Sequence, residues 1–237
     1  MGCEKEYHEI FHDLKDKLQF HRPYENAIGS NSIPKNKLIV SSKMKRAAVL
    51  ICIFGGKEGE LRVFLTKRSK NLASHPGDVA LPGGKMDEGD VDDSATALRE
   101  AEEEIGLDPC LVRVVASLDP FISSNLLSVV PVVGILSRVE EFKPVLNADE
   151  VDVIFDAPLE MFLEEDGRHK CVEKEWGKWK YGCHIFDFEW DQRNFIVGGL
   201  TASILIQAAS IIYQRPPSFN QNLQDFSQLQ RTLNSIN

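Results

Sequence analysis

The clearest feature of the chain is a run of eight apolar residues, AAVLICIF, at positions 47–54. Two glycines, Gly55 and Gly56, close the run. An uninterrupted apolar segment of this length predicts a strand that is buried on both faces. Residues 61–65 form a second apolar segment, and the polar residues 57–59 predict a hairpin turn between the two.

Further helices and strands follow from the spacing of apolar residues. Helices are predicted at residues 6–20, from Asp92 or Asp93 to Gly106, and at residues 195–214. Additional strands are predicted at residues 112–118, 129–136, 151–155 and 181–188. Because strands and helices interleave around one apolar core, we expect an α/β fold in which a mixed sheet lies between helices.

The domain organisation follows from changes in composition along the chain. Residues 1–44 form the predicted N-terminal helix and a polar lead-in, residues 45–217 form one domain, and residues 218–237 form a tail rich in Gln, Asn and Ser. Such a composition predicts disorder in the tail. Residues 66–91 lack apolar periodicity, and a loop of that length inside a compact domain indicates a functional role.

The overall charge narrows the classes of function. The formal net charge is −9, and an acidic chain is repelled by phosphate backbones, which disfavours nucleic-acid binding. No apolar run approaches the roughly 20 residues of a membrane helix, and the charged start of the chain does not resemble a secretory signal. We therefore expect a cytoplasmic protein that does not bind membranes. A homodimer is one possible oligomeric state.

The cysteines form no recognisable disulfide or metal pattern. There are five of them, an odd number, and no Cys-x-x-Cys pair is present, so reduced thiols are expected. A zinc site at His169, Cys171, Cys183 and His184 is an alternative, although the spacing matches no standard zinc finger. Free thiols and ordinary imidazoles are therefore the favoured interpretation.

The strongest candidate for chemistry is an acidic cluster near the end of the helix that Gly106 closes. Glu100, Glu103 and Glu104 stand at i, i+3 and i+4, so they share one helical face. Like charges at this spacing repel each other, and they require either full solvation or a cation. Hard divalent cations prefer oxygen ligands, and Mg²⁺ typically takes carboxylates together with substrate phosphate.

Two features lie beside the cluster, and the first of them favours a cation. Gly83 and Gly84 allow the backbone to pass close to the helix, where a carbonyl can become a further metal ligand. Arg99 can pair with Glu103 at i+4 and hold its carboxylate in place. On spacing alone a solvated acidic face is the more common explanation, because runs of glutamate are frequent at helix ends.

The segment from Gly84 to Leu107 resembles the Nudix box, whose pattern is G-x5-E-x7-R-E-U-x-E-E-x-G-U, with U an aliphatic residue. The second half of the pattern fits from Arg99 onward. In the first half, Asp90 stands where the pattern has Glu, and one extra residue precedes Arg99, which leaves open whether Asp90 also binds metal. The resemblance implies a Nudix-type α/β/α sandwich with a mixed central sheet, and hydrolysis of a pyrophosphate bond.

The same resemblance assigns roles to single residues. It implies that Glu100, Glu103 and Glu104 bind Mg²⁺ or Mn²⁺ and serve catalysis, and that Arg99 orients them. Glu150 resembles a later acidic residue that several Nudix enzymes use as a further ligand or base. An ordinary loop carboxylate is an equally good explanation for Glu150 alone.

The loop before the box resembles a second motif, that of the coenzyme A diphosphatases, L-L-T-x-R-[SA]-x3-R-x3-G-x3-F-P-G-G. Residues 64–84 are in register with it. The departures from the pattern are Phe64, Ala73 and Leu81. This resemblance extends over residues 45–215, is close to plant members, and implies coenzyme A or an acyl derivative as the small-molecule diphosphate substrate.

Four positions in this loop are the expected substrate-binding residues. Lys67 and Arg68 form a local basic cluster in an acidic chain, and a guanidinium suits a phosphate because it can donate two parallel hydrogen bonds. Gly83 and Gly84 complete the set. Solvated loop cations, or an arginine that ties the loop to the core, are the alternative explanation for the basic pair.

Two other functions are compatible with the box. One is a Nudix hydrolase that acts on ADP-ribose, NADH or an oxidised nucleotide. The other is a nucleotide-binding regulatory module without turnover, although such modules usually lose a box carboxylate and Glu100, Glu103 and Glu104 are all retained here.

Overall fold

The centre of the fold is a mixed eight-stranded sheet, seen in a computed structural model that describes residues 14, 16–18, 45–220, 226 and 229. Its strands are β1 (Arg46–Gly55), β2 (Leu61–Arg68), β3 (Val79–Ala80), β4 (Gly83–Lys85), β5 (Val112–Ser117), β6 (Phe121–Ile122), β7 (Ser128–Leu136) and β8 (Val151–Pro158). The order is β3-β2-β1-β7-β5, with β4 beside β1, β6 beside β7 and β8 beside β2. The β1–β7 pair is parallel and the others are antiparallel, so the predicted mixed sheet is confirmed.

Strand β1 supplies side chains to both faces of the sheet, because successive side chains of a strand point to opposite sides. Leu50 and Cys52 belong to one apolar cluster, whereas Ile51 and Ile53 belong to the other. All four side chains are fully buried. This explains why the sequence shows an uninterrupted apolar run in place of an alternating one.

One face is covered by helix α1, Asp93–Ile105. The Asp92 side chain caps its start by accepting a hydrogen bond from the Ala95 amide at 2.8 Å. Gly106 ends the helix with a φ of 69°, a left-handed conformation that glycine adopts without strain. Ala101 packs on the sheet in the same apolar cluster as Leu50, and both predicted ends of the helix are confirmed.

The other face is covered by helix α2 (Gly199–Tyr213), by a 3-10 helix (Leu159–Leu163) and by a second sheet. The strands of this small antiparallel sheet are β9 (His169–Trp176), β10 (Trp179–Trp190) and β11 (Arg193–Gly198). Their buried side chains join Ile51 and Ile53 in one cluster. Helical elements therefore lie on both sides of the sheet, which confirms the predicted α/β/α arrangement.

The helix predicted at residues 195–214 was wrong over its first residues, which form β11. Asp191 and Gln192, with φ of 47° and 60°, make the tight turn that joins β10 to β11. Phe195 and Val197 then alternate with exposed neighbours and point into the core. Strand β9 was not predicted, because most of its side chains are exposed and leave no apolar pattern.

The loop predicted at residues 66–91 contains more regular structure than expected. Strand β2 continues to Arg68, and the short strands β3 and β4 interrupt the remainder. Strand β4 pairs with β1, with Gly84 opposite Ala48. This pairing holds the diglycine on the central sheet, next to α1.

Two predictions fall largely outside the described residues. In the helix predicted at residues 6–20, Leu14 and Leu18 are helical and buried in the core on the α2 side. In the tail predicted at residues 218–237, Phe219 is buried against the domain. The domain boundaries themselves stay predictions. Within the described ranges, no helix combines the length and apolarity that crossing a membrane requires.

Candidate active site

Two of the predicted glutamates, Glu100 and Glu104, lie against the diglycine of β4. Glu104 is 3% exposed, and its Oε2 accepts a hydrogen bond from the Gly83 amide at 3.2 Å. Glu100 lies so close to Gly84 that a Cβ at position 84 would come within 2.4 Å of the Glu100 carboxylate. A side chain at position 84 would therefore displace that carboxylate from its place beside β4.

The third glutamate, Glu103, lies on the solvent side of α1. Its side chain is 54% exposed, and its Oε2 accepts a hydrogen bond from Arg99 Nη1 at 2.9 Å. The i,i+4 pair of Arg99 and Glu103 expected from the sequence is therefore present. The negative charge of Glu103 still reaches Glu100, where it contributes to a raised pKa whose main cause is burial.

Arg99 connects α1 with the loop that precedes it. Its Nη2 donates to the Lys85 carbonyl at 3.0 Å and to Glu100 Oε1 at 3.2 Å. Two further hydrogen bonds join the guanidinium to the Asp90 carboxylate. These bonds hold the pKa of Asp90 well below its ordinary value and raise the pKa of Arg99, so the pair is ionised.

Negative charge accumulates among Glu100, Glu104 and Glu150. Burial raises the pKa of Glu104 to about 7, although the Gly83 amide and Arg68 oppose the shift. The charges of Glu100 and Glu150 raise the pKa of Glu104 further. Glu150 also raises the pKa of Glu100, after the larger effect of burial. Glu150 therefore contributes to the same acidic cluster.

The two basic residues predicted to bind substrate are separated by the sheet. Arg68 Nη1 lies 3.9 Å from Glu104 Oε1, at the acidic cluster. In the described part of the chain, Arg68 Nε is buried and has no hydrogen-bond partner. Lys67 points to the other face, where its Nζ lies 5.8 Å from the centroid of the Phe195 ring. Alternation along β2 explains the separation, and only Arg68 lies beside the glutamates.

Backbone hydrogen bonds close the base of the loop that follows β2. The Ser69 amide donates to the Glu150 carbonyl at 2.8 Å. The Arg68 amide donates to the Asp78 carbonyl at 2.9 Å, and the Gly77 amide donates back to the Arg68 carbonyl at 3.2 Å. The loop is therefore anchored where Arg68 and Glu150 meet the acidic cluster.

Sequence reasoning missed one residue of this network, Thr96. It is fully buried, and its hydroxyl donates a hydrogen bond to Asp90 Oδ2 at 2.9 Å. A polar residue one turn before Glu100, on the same helical face, is the signal that could have identified it. The contact with Asp90 was not visible in the sequence, because it depends on the path of the loop.

The donor chemistry of the cluster fits a hard divalent cation. Glu100, Glu103, Glu104 and Glu150 offer carboxylate oxygens, and the backbone of Gly84 lies directly beside one of them. Among the described residues, no three His, Cys, Asp or Glu side chains enclose a metal-sized space by themselves. Mg²⁺ does not require such a cage, because it usually keeps several waters and takes one or two carboxylates together with substrate phosphate.

The histidines of the alternative zinc site hydrogen-bond to each other. His169 Nε2 lies 2.9 Å from His184 Nδ1, and the His169 ring stacks on Phe219. Cys171 and Cys183 are both free thiols. The interpretation as free thiols and ordinary imidazoles stays a prediction, and the direct contact between the two rings favours it.

Comparison with known proteins identifies relatives over most of the chain. The NUDIX domain family model matches residues 44–179. The chain is 55% identical over 184 residues to Nudix hydrolase 15, mitochondrial, of Arabidopsis thaliana, a match that covers 78% of this chain and 64% of that protein. It is 48% identical over 209 residues to Nudix hydrolase 22, chloroplastic, of the same plant, covering 88% of this chain and 69% of that protein.

A mouse protein is also similar. The chain is 39% identical over 163 residues to the peroxisomal coenzyme A diphosphatase NUDT7 of Mus musculus, covering 68% of this chain and 68% of that protein. The chain thus spans about two thirds of the length of these relatives. Nudix hydrolases generally use divalent metal ions and hydrolyse pyrophosphate bonds, and the chain belongs to the Nudix hydrolase family.

Proposed function

We propose that the chain hydrolyses the diphosphate bond of coenzyme A or of an acyl derivative. The products are 4′-phosphopantetheine, or its acyl derivative, and 3′,5′-ADP. The observation that carries this proposal is the position of Glu100 and Glu104 against the diglycine, with Arg68 beside Glu104. Carboxylates that bind a divalent cation, together with a nearby guanidinium, can offset the charge of a polyanionic substrate.

The acidic residues are the proposed metal-binding groups. Glu100, Glu103, Glu104 and Glu150, with the Gly84 carbonyl, would hold Mg²⁺ or Mn²⁺. A divalent cation supplies charge neutralisation for the diphosphate oxygens and lowers the pKa of a water molecule. A carboxylate of the cluster accepts the proton from the attacking water.

Arg68 is the proposed contact for a substrate phosphate. Its buried Nε lacks a hydrogen-bond partner among the described residues, and its Nη1 lies 3.9 Å from Glu104, beyond hydrogen-bond distance. The guanidinium therefore keeps donors that a phosphate oxygen would satisfy. Lys67 is not part of this proposed contact, because its ammonium group lies over Phe195 on the opposite face.

Two observations favour coenzyme A within the family. Residues 64–84 follow the diphosphatase motif, and the motif includes Arg68, which lies at the acidic cluster. The mouse relative, 39% identical, is named a coenzyme A diphosphatase. The two Arabidopsis relatives carry names that state no substrate.

The direct test is to identify the products by mass spectrometry. The purified chain is incubated with coenzyme A, acetyl-coenzyme A, ADP-ribose or NADH, each in Mg²⁺ or Mn²⁺ buffer. We expect 3′,5′-ADP from both coenzyme A substrates, with a higher kcat/KM than for the other two compounds. A preference for ADP-ribose or NADH would overturn the choice of substrate, and no turnover of any compound would overturn the hydrolase proposal.

Substitution of the predicted ligands tests the site. We expect Glu103→Gln to abolish turnover while the fold survives, because the change removes one carboxylate charge and keeps the side-chain shape. Glu102→Gln on the exposed face of the same helix is the matched control and should keep wild-type kcat. Wild-type activity in the Glu103 variant would exclude that residue from the site.

Cellular location and assembly belong to the same proposal. We propose a cytoplasmic protein that binds neither nucleic acid nor membranes, with a homodimer to be tested against a monomer. The names of three relatives place those proteins in mitochondria, chloroplasts and peroxisomes. Imaging of a fluorescent fusion of the full chain, together with light scattering of the purified protein, would decide both points.

A further inference from the structure

Asp90 occupies the box position where the family pattern has a longer Glu, and its carboxylate is fully engaged. Oδ1 accepts from Arg99 Nε at 3.0 Å. Oδ2 accepts from Arg99 Nη2, from the Asp87 amide and from the Thr96 hydroxyl, each at 2.9 Å. The side chain is only 6% exposed, so little room remains for another ligand. Asp90 therefore binds Arg99, and the glutamates remain available as carboxylate ligands for a metal ion.

Thr96 completes this arrangement from inside the helix. Its hydroxyl is buried and also approaches the Asp92 carbonyl at 3.3 Å. Both hydroxyl contacts are with residues of the loop that leads into α1. Thr96 thus holds Asp90 against the first turns of the helix, at the correct distance from Arg99.

The chain also contains one residue more than the pattern between the acidic position and Arg99. Eight residues, 91–98, separate Asp90 from Arg99, where the pattern has seven. The first of them, Val91, is 89% exposed and precedes the N-cap Asp92. An exposed apolar residue at this point contributes no packing, which is expected of a residue that only lengthens the connection.

We propose that Asp90 and Thr96 are positioning residues that hold Arg99, and through it Glu100 and Glu103, and that the extra residue compensates for the short side chain of Asp90. The inference rests on the proposed function, because the glutamates are taken to bind a metal ion and a diphosphate. Arg99 carries the effect, since it contacts Glu100, Glu103 and the Lys85 carbonyl at the same time.

Thr96→Val removes the hydroxyl and keeps the side-chain shape. We expect kcat to fall about tenfold with KM nearly unchanged, because a hydrogen bond to a charged group is lost but no substrate contact is. The affinity for Mn²⁺, measured by electron paramagnetic resonance of the free ion, should also fall. Thr96→Ser should restore both quantities.

A matched control separates positioning from loss of stability. Thr201→Val removes a different side-chain hydrogen bond, to the Val79 carbonyl at 3.1 Å. We expect it to lower Tm and to leave kcat and Mn²⁺ affinity unchanged. If Thr96→Val lowers Tm and likewise leaves both quantities unchanged, Thr96 has only a structural role and the inference fails.

The compensation is tested by a double-variant cycle. Asp90→Glu and deletion of Val91 should each lower kcat about tenfold, whereas the combination should return to within about threefold of wild type, because the family spacing is restored. A combined variant with no gain over Asp90→Glu, or one that no longer folds by circular dichroism, overturns the compensation.

Failure of the inference and failure of the proposed function give different results. If the wild-type protein hydrolyses coenzyme A and the Thr96 variants match it, only the positioning inference fails. If the wild-type protein turns over no diphosphate, the proposed function fails. The Mn²⁺ affinities of the same variants then still decide whether Thr96 and Asp90 position the glutamates.

Discussion

The two faces of the central sheet both bury apolar side chains, but they differ in the charged groups that they hold. The face under α1 holds charged groups, with Glu104 almost fully buried and Asp90 enclosed by Arg99 and Thr96. The opposite face holds a larger apolar cluster that contains Phe155, whose ring stacks on Phe195 with centroids 4.1 Å apart. One sheet thus supports a charged site beside a smaller apolar cluster on one side and a larger apolar cluster on the other.

This difference predicts that the α1 face mainly determines activity, whereas the α2 face mainly determines stability. Buried carboxylates repel each other and are desolvated, so the α1 face is costly to fold without a counter-charge. Burial of apolar area is the main favourable contribution to folding, and the α2 face has more of it. Substitutions on the two faces should therefore separate loss of activity from loss of stability.

The largest loss of activity without a loss of stability is expected for Glu104→Gln. We expect kcat to fall about a thousandfold, or about 4 kcal/mol, because a carboxylate of the metal site is lost. Tm should stay constant or rise, since the neutral amide removes repulsion with Glu100 and Glu150. Steady-state kinetics and thermal unfolding measure the two effects. A wild-type kcat would remove Glu104 from the site.

The opposite result, a loss of stability without a loss of activity, is expected for Phe155→Ala. The ring is fully buried between Phe188, Trp190 and Phe195, so its loss leaves a cavity. We expect the free energy of unfolding to fall by about 3 kcal/mol, as for other large-to-small core substitutions. Urea unfolding measures this change, and kcat of the folded fraction should remain near wild type. A large drop in kcat at constant stability would contradict the division between the faces.

Adjacent residues on β2 sharpen the comparison, because Arg68 and Lys67 lie on opposite faces. Arg68→Ala should raise KM for coenzyme A about tenfold through loss of a phosphate contact, about 1.4 kcal/mol. Lys67→Ala should leave KM unchanged and cost about 0.5 kcal/mol of stability through the lost contact with Phe195. Equal KM effects in the two variants would show that the alternation of β2 does not decide their roles.

The smallest effect is expected from the histidine pair on the α2 face. Burial lowers the pKa of both His169 and His184, and the charge of His184 lowers that of His169 further, although Glu165 opposes it. Unfolded imidazoles have a pKa of about 6.5, so the unfolded chain takes up more protons as pH falls below that value. The stability contributed by the pair is therefore present above about pH 6.5 and is lost on acidification.

Thermal unfolding at pH values on both sides of this window measures the effect. The decrease in Tm on acidification should be larger in the wild-type protein than in His184→Gln, by roughly 2–4 °C, the change that about 1 kcal/mol causes in a chain of this size. Identical pH dependence in the two proteins would show that the pair does not titrate between the folded and unfolded states.

Much of the fold could be predicted because its signals are local. The run at 47–54 predicted β1, and the Asp92 cap and Gly106 bounded α1 within a residue. In the small sheet, the strand predicted at residues 181–188 is confirmed as part of β10, whereas β9 was missed because it is exposed and carries no apolar alternation. Phe195 and Val197 are spaced as in a strand, but the apolar residues continue from position 195 into α2 and therefore favoured one long helix. The turn at Asp191 and Gln192, which makes 193–198 a strand, was not visible in that pattern.

The sequence predicted which residues belong to the candidate site, but it did not predict how they are arranged. Helical spacing alone required Glu100 and Glu104 to share a face, and it also grouped Glu103 with them. In the fold, β4 lies against the first two, whereas Glu103 remains exposed and pairs with Arg99. The spacing could not distinguish them, because the distinction depends on which part of the face the β4 backbone covers.

The sequence by itself determined the capped helix, the acidic face and the diglycine, because each depends on residues within a few positions of one another. The tertiary structure alone decided that Arg68 lies beside Glu104, and that Thr96 contacts Asp90. These contacts depend on how a loop and a sheet pack against the helix. Packing joins residues that are distant along the chain, and no local pattern of polarity records it.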